Sequence, residues 1–479
     1  MVNKRDRLKE YINDQFLKSG FKSRAYVFDE KNQRRPTRDM LDNIYSFLKQ
    51  FWEGNRSIRW IALTGLRGAG KTTIMYQLFE KIKNLDAYFL ILSVDTIVQT
   101  FNSGIYDAVE VLEEIIGKPI CNLDKPLFLF LDEVQYDPKW GSALKSIYDQ
   151  SFKTFIFSTG SSSLLLNSNA DIARRAIYER IFPLSFVEYN RIKNGVKPIK
   201  ELSEDIRKIF FEAQNAKELF DKFKKIEVEI QKYPWISDKI EFEKYLYYGS
   251  LPFLIELENE SLAYEQIRKS LERIINKDIP QLNNLTTEVV SKIFSILYAV
   301  ADMDVVNLIK LAREFEISRP KIAEIFSILE HAEVLNRIYP TGSHFKQVTQ
   351  KSSKYLFSSP SFRTMFYKMI GNTITEENAR GKLLEDLVSM YLYRLCDKNA
   401  IFSLAYDGSK GGADFVMGIA KKKIVIEVGV NKKEYKQVIQ TIKRVKANYG
   451  IIISEKAFGL EYNEEANTVK IPLKYFILT

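Results

Sequence analysis

The sequence predicts an α/β protein: a three-layer parallel-sheet core with a phosphate-binding loop, followed by helical and smaller α/β domains. Three observations predict it. Near-continuous apolar segments at about 59–64, 87–93, 126–131 and 154–159 are separated by stretches of helical periodicity, the pattern of parallel strands covered on both faces. A glycine turn, Gly65-Leu66-Arg67-Gly68-Ala69-Gly70-Lys71-Thr72, joins the first of them to a helix. Polar residues close the later segments, at the carboxyl ends where such sheets bind ligands.

Composition sets bounds. A chain of 479 residues exceeds one ordinary core, so three or more domains are expected. Hydrophobic content of 46% and aromatic content of 13% exclude a largely disordered chain. The net charge of +10 leans toward an anionic partner such as nucleic acid. Cys121 and Cys396 stand far apart, which argues against a disulfide framework or a structural zinc. The start, Met1 to Arg7, leads into no apolar leader core, and no run of about 18 apolar residues is present to span a bilayer. A cytoplasmic protein without a membrane partner is expected.

Residues 1–55 are basic and mostly helical in pattern, with Leu41, Ile44, Tyr45, Leu48 and Phe51 on one face. Arg34-Arg35-Pro36-Thr37 precedes that helix, either as a surface loop or as the start of a nucleotide pocket. The glycine turn fits G-x-x-x-x-G-K-[ST], and its flanks of strand and helix are those the motif requires. The residues Gly65 to Thr72, with Thr73, are expected to cradle the phosphates of ATP or ADP through backbone N–H groups at a helix start. Lys71 would reach the β- and γ-phosphates, and Thr72 would offer its hydroxyl to Mg²⁺.

Asp132-Glu133 closes the third strand. An acid there holds Mg²⁺, and the adjacent Glu133 is placed to polarise the attacking water as general base. Thr159 or Ser161 after the fourth strand would sense the γ-phosphate, or simply form a turn. Arg174, Arg175 and Arg180 follow; one of them would neutralise charge in the transition state, in its own subunit or in a neighbouring copy of a homo-oligomer.

Taken together, Gly65–Thr72, Leu131-Asp132-Glu133, Thr159-Gly160-Ser161-Ser162-Ser163 and Pro183-Leu184-Ser185-Phe186-Val187-Glu188-Tyr189 resemble the archaeal and bacterial AAA+ ATPases of the STAND-related branch. The family's arginine before the Pro-Leu-Ser-Phe segment falls on Arg175, although its preceding glycine is Arg174 here. The family's Tyr-Gly-Gly-Leu-Pro element appears as Tyr248-Gly249-Ser250-Leu251-Pro252. The resemblance covers residues 35–285. It implies a P-loop ATPase core over 1–185 and a helical lid over 186–285, with ATP and Mg²⁺ as cofactors.

Residues 186–285 are Lys/Glu-rich with helical spacing, and Pro280 is expected to stop the last helix. Residues 286–369 read as a winged helix-turn-helix: helices at 289–301, 306–313 and 320–330, then strands at 333–340 and 354–357. Ser318, Arg319, Lys321 and Lys346 would meet phosphates or a groove of DNA, although such domains also bind proteins.

Residues 370–479 give a helix, three strands, a basic helix at 434–446 and a strand. With Glu385, Asp414 and Glu427 they resemble the PD-(D/E)xK restriction-endonuclease-like fold, which implies a divalent metal acting on a phosphodiester. The family's lysine two residues after Glu427 is Gly429 here. Lys423 shares that face of the strand but lies about 13 Å back at the usual rise. Lys432 and Lys433 would compensate only through a bend. The expected whole is an ATP-hydrolysing enzyme acting on DNA, with a degenerate nuclease-like domain; an ATP-dependent DNA endonuclease and a non-hydrolysing nucleotide switch that scaffolds other proteins are the alternatives.

Overall fold

The leucines and phenylalanines of Leu127-Phe128-Leu129-Phe130-Leu131 alternate, and the period of a strand sends them to opposite faces. In the computed structural model Leu127, Leu129 and Leu131 join one core layer. Phe128 packs on the other side against Phe89, Phe51 and Phe155, with ring centroids 5.4, 5.6 and 6.0 Å away. Burial on both faces is what a central parallel strand requires. The structure describes residues 4–479 apart from 162–171, 173, 198, 235–237, 283–284, 343–351, 370, 372–376, 398–400 and 432–433. Ser162, Ser163, Lys346, Lys432 and Lys433, all singled out above, lie outside the described residues.

The chain divides into two compact units, Met1–Ile181 and Phe182–Thr479. The first carries five strands: β1 (Trp60–Gly65), β2 (Tyr88–Ser93), β3 (Leu127–Asp132), β4 (Thr154–Gly160) and β5 (Ile177–Ile181). They pair in parallel in the order β2-β3-β4-β1-β5. The α/β parallel-sheet class expected from the apolar segments is therefore the observed one, with β5 added. That strand escaped the sequence reading because Ile177-Tyr178-Glu179-Arg180-Ile181 is a half-buried edge segment without an apolar run.

Around the sheet lie α1 (Lys4–Val27), α2 (Asp39–Trp52), α3 (Lys71–Ile82), α4 (Val94–Phe101), α5 (Ile105–Ile116) and α6 (Trp140–Gln150). The apolar face read for α2 is buried through Leu41, Ile44, Leu48 and Phe51. Leu8 and Ile12 bring α1 into the core on the side of β2.

The second unit opens with a helix, Phe186–Asn194, started by a reciprocal cap between Ser185 and Glu188. Among the described residues four more α-helices precede residue 274, at Lys200–Glu212, Ala216–Gln231, Lys239–Lys244 and Glu260–Arg273, with short π and 3₁₀ segments at Tyr245–Gly249 and Pro252–Leu254. The two motif segments of this region meet in space: Leu184 N–H donates to Ser250 O at 2.7 Å. A Cβ on Gly249 would lie 2.5 Å from the Tyr189 ring, so only glycine permits that approach. Pro280 does not stop the helix. It occupies the second position of Ile279–Leu282, directly after a wide π-type turn at Ile274–Asp278. Inside a continuous helical run a proline gives up one backbone hydrogen bond, and the π-type turn just before it is where the run adjusts.

Helices Thr287–Asp302, Leu308–Glu314 and Arg319–His331 lead into β6 (Leu335–Pro340) and β7 (Lys354–Phe357), an antiparallel pair. That pair does not stand apart. Through Tyr339 and Pro340, β6 joins β8 (Phe402–Tyr406) of the last segment. With β9 (Phe415–Ile419), β10 (Lys422–Gly429), β11 (Tyr449–Ser454), β12 (Glu461–Asn463) and β13 (Thr468–Pro472) it makes one eight-stranded mixed sheet. Helix Glu377–Asp397 is fastened to this body by an ion pair with no exposure on either side. Arg363 Nη2 donates to Asp386 Oδ1 at 2.9 Å and Nε to Asp386 Oδ2 at 2.5 Å, while Phe357 N–H donates to Asp386 Oδ1 at 2.9 Å.

Candidate nucleotide site

Three positive-φ glycines, Gly65, Gly68 and Gly70, make the turn after β1. Gly65 has φ +152°, and a Cβ there would lie 2.4 Å from Ile181 O. Gly70 has φ +97° at the N-terminal cap of α3, a conformation that side-chain-bearing residues rarely adopt. The turn leaves the N-terminus of a 12-residue helix open to an anion. Lys71, buried at 5% exposure, curls back over its own loop and donates to Gly65 O at 2.9 Å and Leu66 O at 3.2 Å. Both acceptors are neutral carbonyls.

The ends of β1, β3 and β4 converge beside it. Thr72 Oγ1 donates to Asp132 Oδ2 at 2.8 Å. Thr159 Oγ1 donates to Asp132 Oδ1 and accepts from Glu133 N–H at 3.1 Å. Glu133 stands at φ 57°, the left-handed region, which costs a residue with a side chain about 1–3 kcal/mol and is characteristic of functional turns. Its carboxylate accepts from Gln135 Nε2.

Burial pushes the Asp132 carboxyl up, and the neighbouring Glu133 charge pushes it further, to about 6, against the opposing pull of Thr159, Thr72 and Lys71. The Lys71 charge only partly offsets these two effects, so the carboxylate is under-compensated. Its oxygens and the Thr72 hydroxyl are the hard donors that Mg²⁺ takes, so these residues fit the ion. The helix start, Lys71 and the glycine turn fit a nucleotide triphosphate. The sequence-predicted residues Gly65, Leu66, Arg67, Gly68, Ala69, Gly70, Lys71, Thr72, Thr73, Asp132 and Glu133 thus share one edge of the sheet.

Arg175 does not. It lies before the amino end of β5, and its guanidinium pairs with Asp149 through Nε and Nη2, each at 2.8 Å. The parallel register of β5 with β1 sets Ile177 beside Ile61 and Ile181 beside Gly65. Arg175 is therefore about 20 Å of strand from the phosphate loop, at the opposite edge of the sheet. The assignment of Arg175 as the transition-state arginine within its own chain is corrected on this ground. Arg180, level with Thr64, is the arginine of the three that reaches the right edge.

Two contributors went unread in the sequence. Arg38, at the cap position of α2, donates through Nη1 to Ala69 O at 2.8 Å and braces the loop from outside. Tyr26 of α1 stacks on Tyr76 of α3 with centroids 4.5 Å apart. Neither carries a local signal, because both act across long sequence separations; the nearest hint was the Arg34–Thr37 stretch just before Arg38.

Residues 57–190 match the AAA domain family, and residues 239–371 match a domain of unknown function. Over 423 residues the chain is 37% identical to an uncharacterized protein of Methanocaldococcus jannaschii, covering 87% of this chain and 84% of that one. The chain belongs to that protein's family. Its AAA region takes in β1 to β5 and hence the site residues from Gly65 to Glu133, while Arg38 and Tyr26 precede it. Solved structures with a similar fold include the Walker-type ATPase of Pyrococcus abyssi, 13% identical, covering 71% of this chain and 99% of that one at a TM-score of 0.39. The Orc1 protein of Aeropyrum pernix in complex with DNA is 10% identical, covering 68% and 91% at a TM-score of 0.32. Likeness at this level carries no argument about activity.

The nuclease-like acids lie in the second unit and do come together. Asp414 N–H donates to Glu427 Oε2 at 3.1 Å, and Val428 N–H donates to Asp414 Oδ2 at 2.9 Å. Lys423 is spent elsewhere, donating to Val445 O at 3.2 Å. A cation already stands in the cluster: Lys354 of β7, paired with Glu385 and with Asp414 Oδ1. Among the described residues no group of three or more His, Cys, Asp or Glu side chains is disposed to hold a metal ion.

Proposed function

We propose that the chain is an ATPase that binds ATP with Mg²⁺ and couples its hydrolysis to binding or remodelling DNA, as a monomer or a homo-oligomer, with a nuclease-like domain that does not cut. In this reading residues 1–185 form the ATPase core, 186–285 the lid, 286–369 a winged helix and 370–479 a restriction-endonuclease-like domain. The observation that carries it is the chain Thr72–Asp132–Thr159–Glu133, which links the start of α3 to the ends of β3 and β4 beside the phosphate loop.

ATP with its Mg²⁺ supplies the phosphoryl group and the counter-charge. Among the described residues Lys71 Nζ donates to two carbonyls of its own loop, and a more negative oxygen outcompetes them. Thr72 Oγ1 and Asp132 Oδ2, hydrogen-bonded to one another, are the groups that would hold the Mg²⁺. Thr159 keeps Asp132 and the Glu133 backbone in fixed relation. Glu133, aimed by its left-handed backbone, takes the proton of the attacking water on its carboxylate.

The DNA part rests on charge and placement. Ser318 and Arg319 are exposed at the start of helix Arg319–His331, whereas Lys321 is paired with Glu324 at 2.9 Å. Lys436, Lys443 and Lys446 are exposed on the basic helix, whereas Arg444 is committed to Asp407. Turnover measured with and without single- and double-stranded DNA tests the proposal. We expect DNA to change the rate and DNA affinity to fall steeply with salt. Joint replacement of Arg319, Lys436 and Lys443 by alanine should flatten the salt slope by about one phosphate contact per residue removed. An ATPase indifferent to DNA, together with an unchanged slope, rejects the coupling.

A further inference from the structure

The acid cluster of the second unit holds a lysine that neither the nuclease-like pattern nor the proposed function calls for. Lys354 comes from β7, 31 residues before Glu385 and 60 before Asp414. Its ammonium bridges Glu385 Oε2 and Asp414 Oδ1, the latter at 3.3 Å. The ring of Phe415 lies on a further side, with its centroid 5.3 Å from Nζ. An ammonium has three N–H groups. Two carboxylates and an aromatic face occupy three directions around it, which leaves little of the ammonium to offer a phosphate or a water.

The oxygens are correspondingly engaged. Asp414 gives Oδ1 to Lys354 and Oδ2 to Val428 N–H, while Glu427 Oε2 takes Asp414 N–H. A divalent ion wants several of these lone pairs at once. The side chain of Lys354 is 7% exposed, against 17% for Glu385 and 15% for Asp414, so the cation sits deeper than the acids. Burial alone pulls the Lys354 ammonium toward its neutral form. The charges of Glu385 and Asp414 outweigh burial and hold it above the usual lysine range.

We infer that Lys354 is the resident cation of this site: it stands where a nuclease-like fold would hold a divalent metal, excludes that metal, and pins β7 to helix Glu377–Asp397 and to the start of β9. The residues present therefore do not fit the metal that the fold resemblance implies. The inference rests on reading Glu385, Asp414 and Glu427 as a nuclease-like set. The ionic staple gives Glu385 and Asp414 a structural role without an open metal position, while Glu427 is engaged by the Asp414 backbone.

The test uses the full chain, free of nucleotide and carrying Asp132→Asn so that the ATPase site does not contribute. Bound and free Mn²⁺ are resolved by electron paramagnetic resonance. The parent should show no binding that depends on Asp414. Lys354→Met, of similar length but uncharged, should gain at least about tenfold in Mn²⁺ affinity, a lower bound for removing one like charge at contact distance. Adding Glu385→Gln should abolish the gain. Folding of each variant is checked by circular dichroism. Should Lys354→Met fail to fold, the parent titration still decides, because Asp414-dependent Mn²⁺ binding in the presence of Lys354 overturns the exclusion. If that binding is accompanied by DNA cleavage lost in Lys354→Met, Lys354 is a catalytic lysine and the inference is wrong while the nuclease-like reading survives. If folded Lys354→Met binds no Mn²⁺, the nuclease-like reading of the acids falls, and the inference with it.

Discussion

Lys71 and Lys354 are both buried beside acidic strand ends, one in each unit, and their partners differ in kind. Lys71 rests on the carbonyls of Gly65 and Leu66, neutral acceptors of its own loop. Lys354 rests on the carboxylates of Glu385 and Asp414, contributed by a different helix and the start of a different strand. A cation held by carbonyls is available to an anionic ligand, since charged acceptors make stronger hydrogen bonds than neutral ones. One buried between two carboxylates is not, because pulling it away strands uncompensated charge in a low-dielectric interior. The same contrast holds for the acids. Asp132 is short of a cation, and its carboxyl is pushed up to about 6. Asp414 already has one. The first site is arranged to receive something, the second to stay shut.

The contrast can be broken most forcefully at the closed end. Arg363→Ala leaves Asp386 buried without its partner, so unfolding of the second unit should become easier by about 3–5 kcal/mol, read from urea denaturation followed by tryptophan fluorescence and circular dichroism. A loss under about 1 kcal/mol would mean that buried ions in this unit do not act as fixed structure.

Next in size is the open end. Glu133→Gln should keep ATP affinity and lower kcat by roughly 10²-fold, the scale of a positioned general base. Turnover at the parent rate would reduce Glu133 to the corner residue of a tight turn. Lys71→Ala should weaken ATP binding about 10- to 100-fold, from the loss of one charge-assisted contact, as measured by calorimetric titration with Mg²⁺ present. Unchanged affinity would show that the lysine stays on its carbonyls, as closed as Lys354.

The smallest effect depends on pH. The folded-state pKa of Asp132 lies near 6, above the ordinary value of 3.8. The group's contribution to stability is therefore complete below about pH 4 and lost as pH rises through 6. Asp132→Asn, in nucleotide-free protein, should raise the midpoint of thermal unfolding by a few degrees above pH 6 and leave it unchanged near pH 4. A midpoint shift of the same size at both pH values would trace to packing instead of charge.

Much of the first unit was legible before any coordinates. The apolar segments ending in Thr64, Leu131 and Thr159 each became a strand, because a parallel strand is buried on both faces and must be apolar throughout. The glycine turn was legible because its spacing is local: backbone freedom at Gly65 and Gly70, a lysine and a threonine opening one helix. The second unit was harder. Helices around 289–330 and the strands at β6 and β7 follow their local patterns, but nothing local shows that β6 extends the sheet of the last segment through β8.

What only the tertiary structure decided are the partnerships across sequence distance. The family resemblance implies Arg175 for the nucleotide site; the β5 register sends it to the far edge of the sheet, where it pairs with Asp149. Arg38 reaches the loop from 31 residues away, and Lys354 reaches Asp414 from 60. The physical reason is the same in each case. Periodicity, caps and glycine turns are written into neighbouring residues, because they depend on the backbone's own dihedrals and hydrogen bonds. Which charge meets which is set by how the finished elements pack, and the sequence by itself determined the ingredients of both acid sites without determining which of their lysines is free to move.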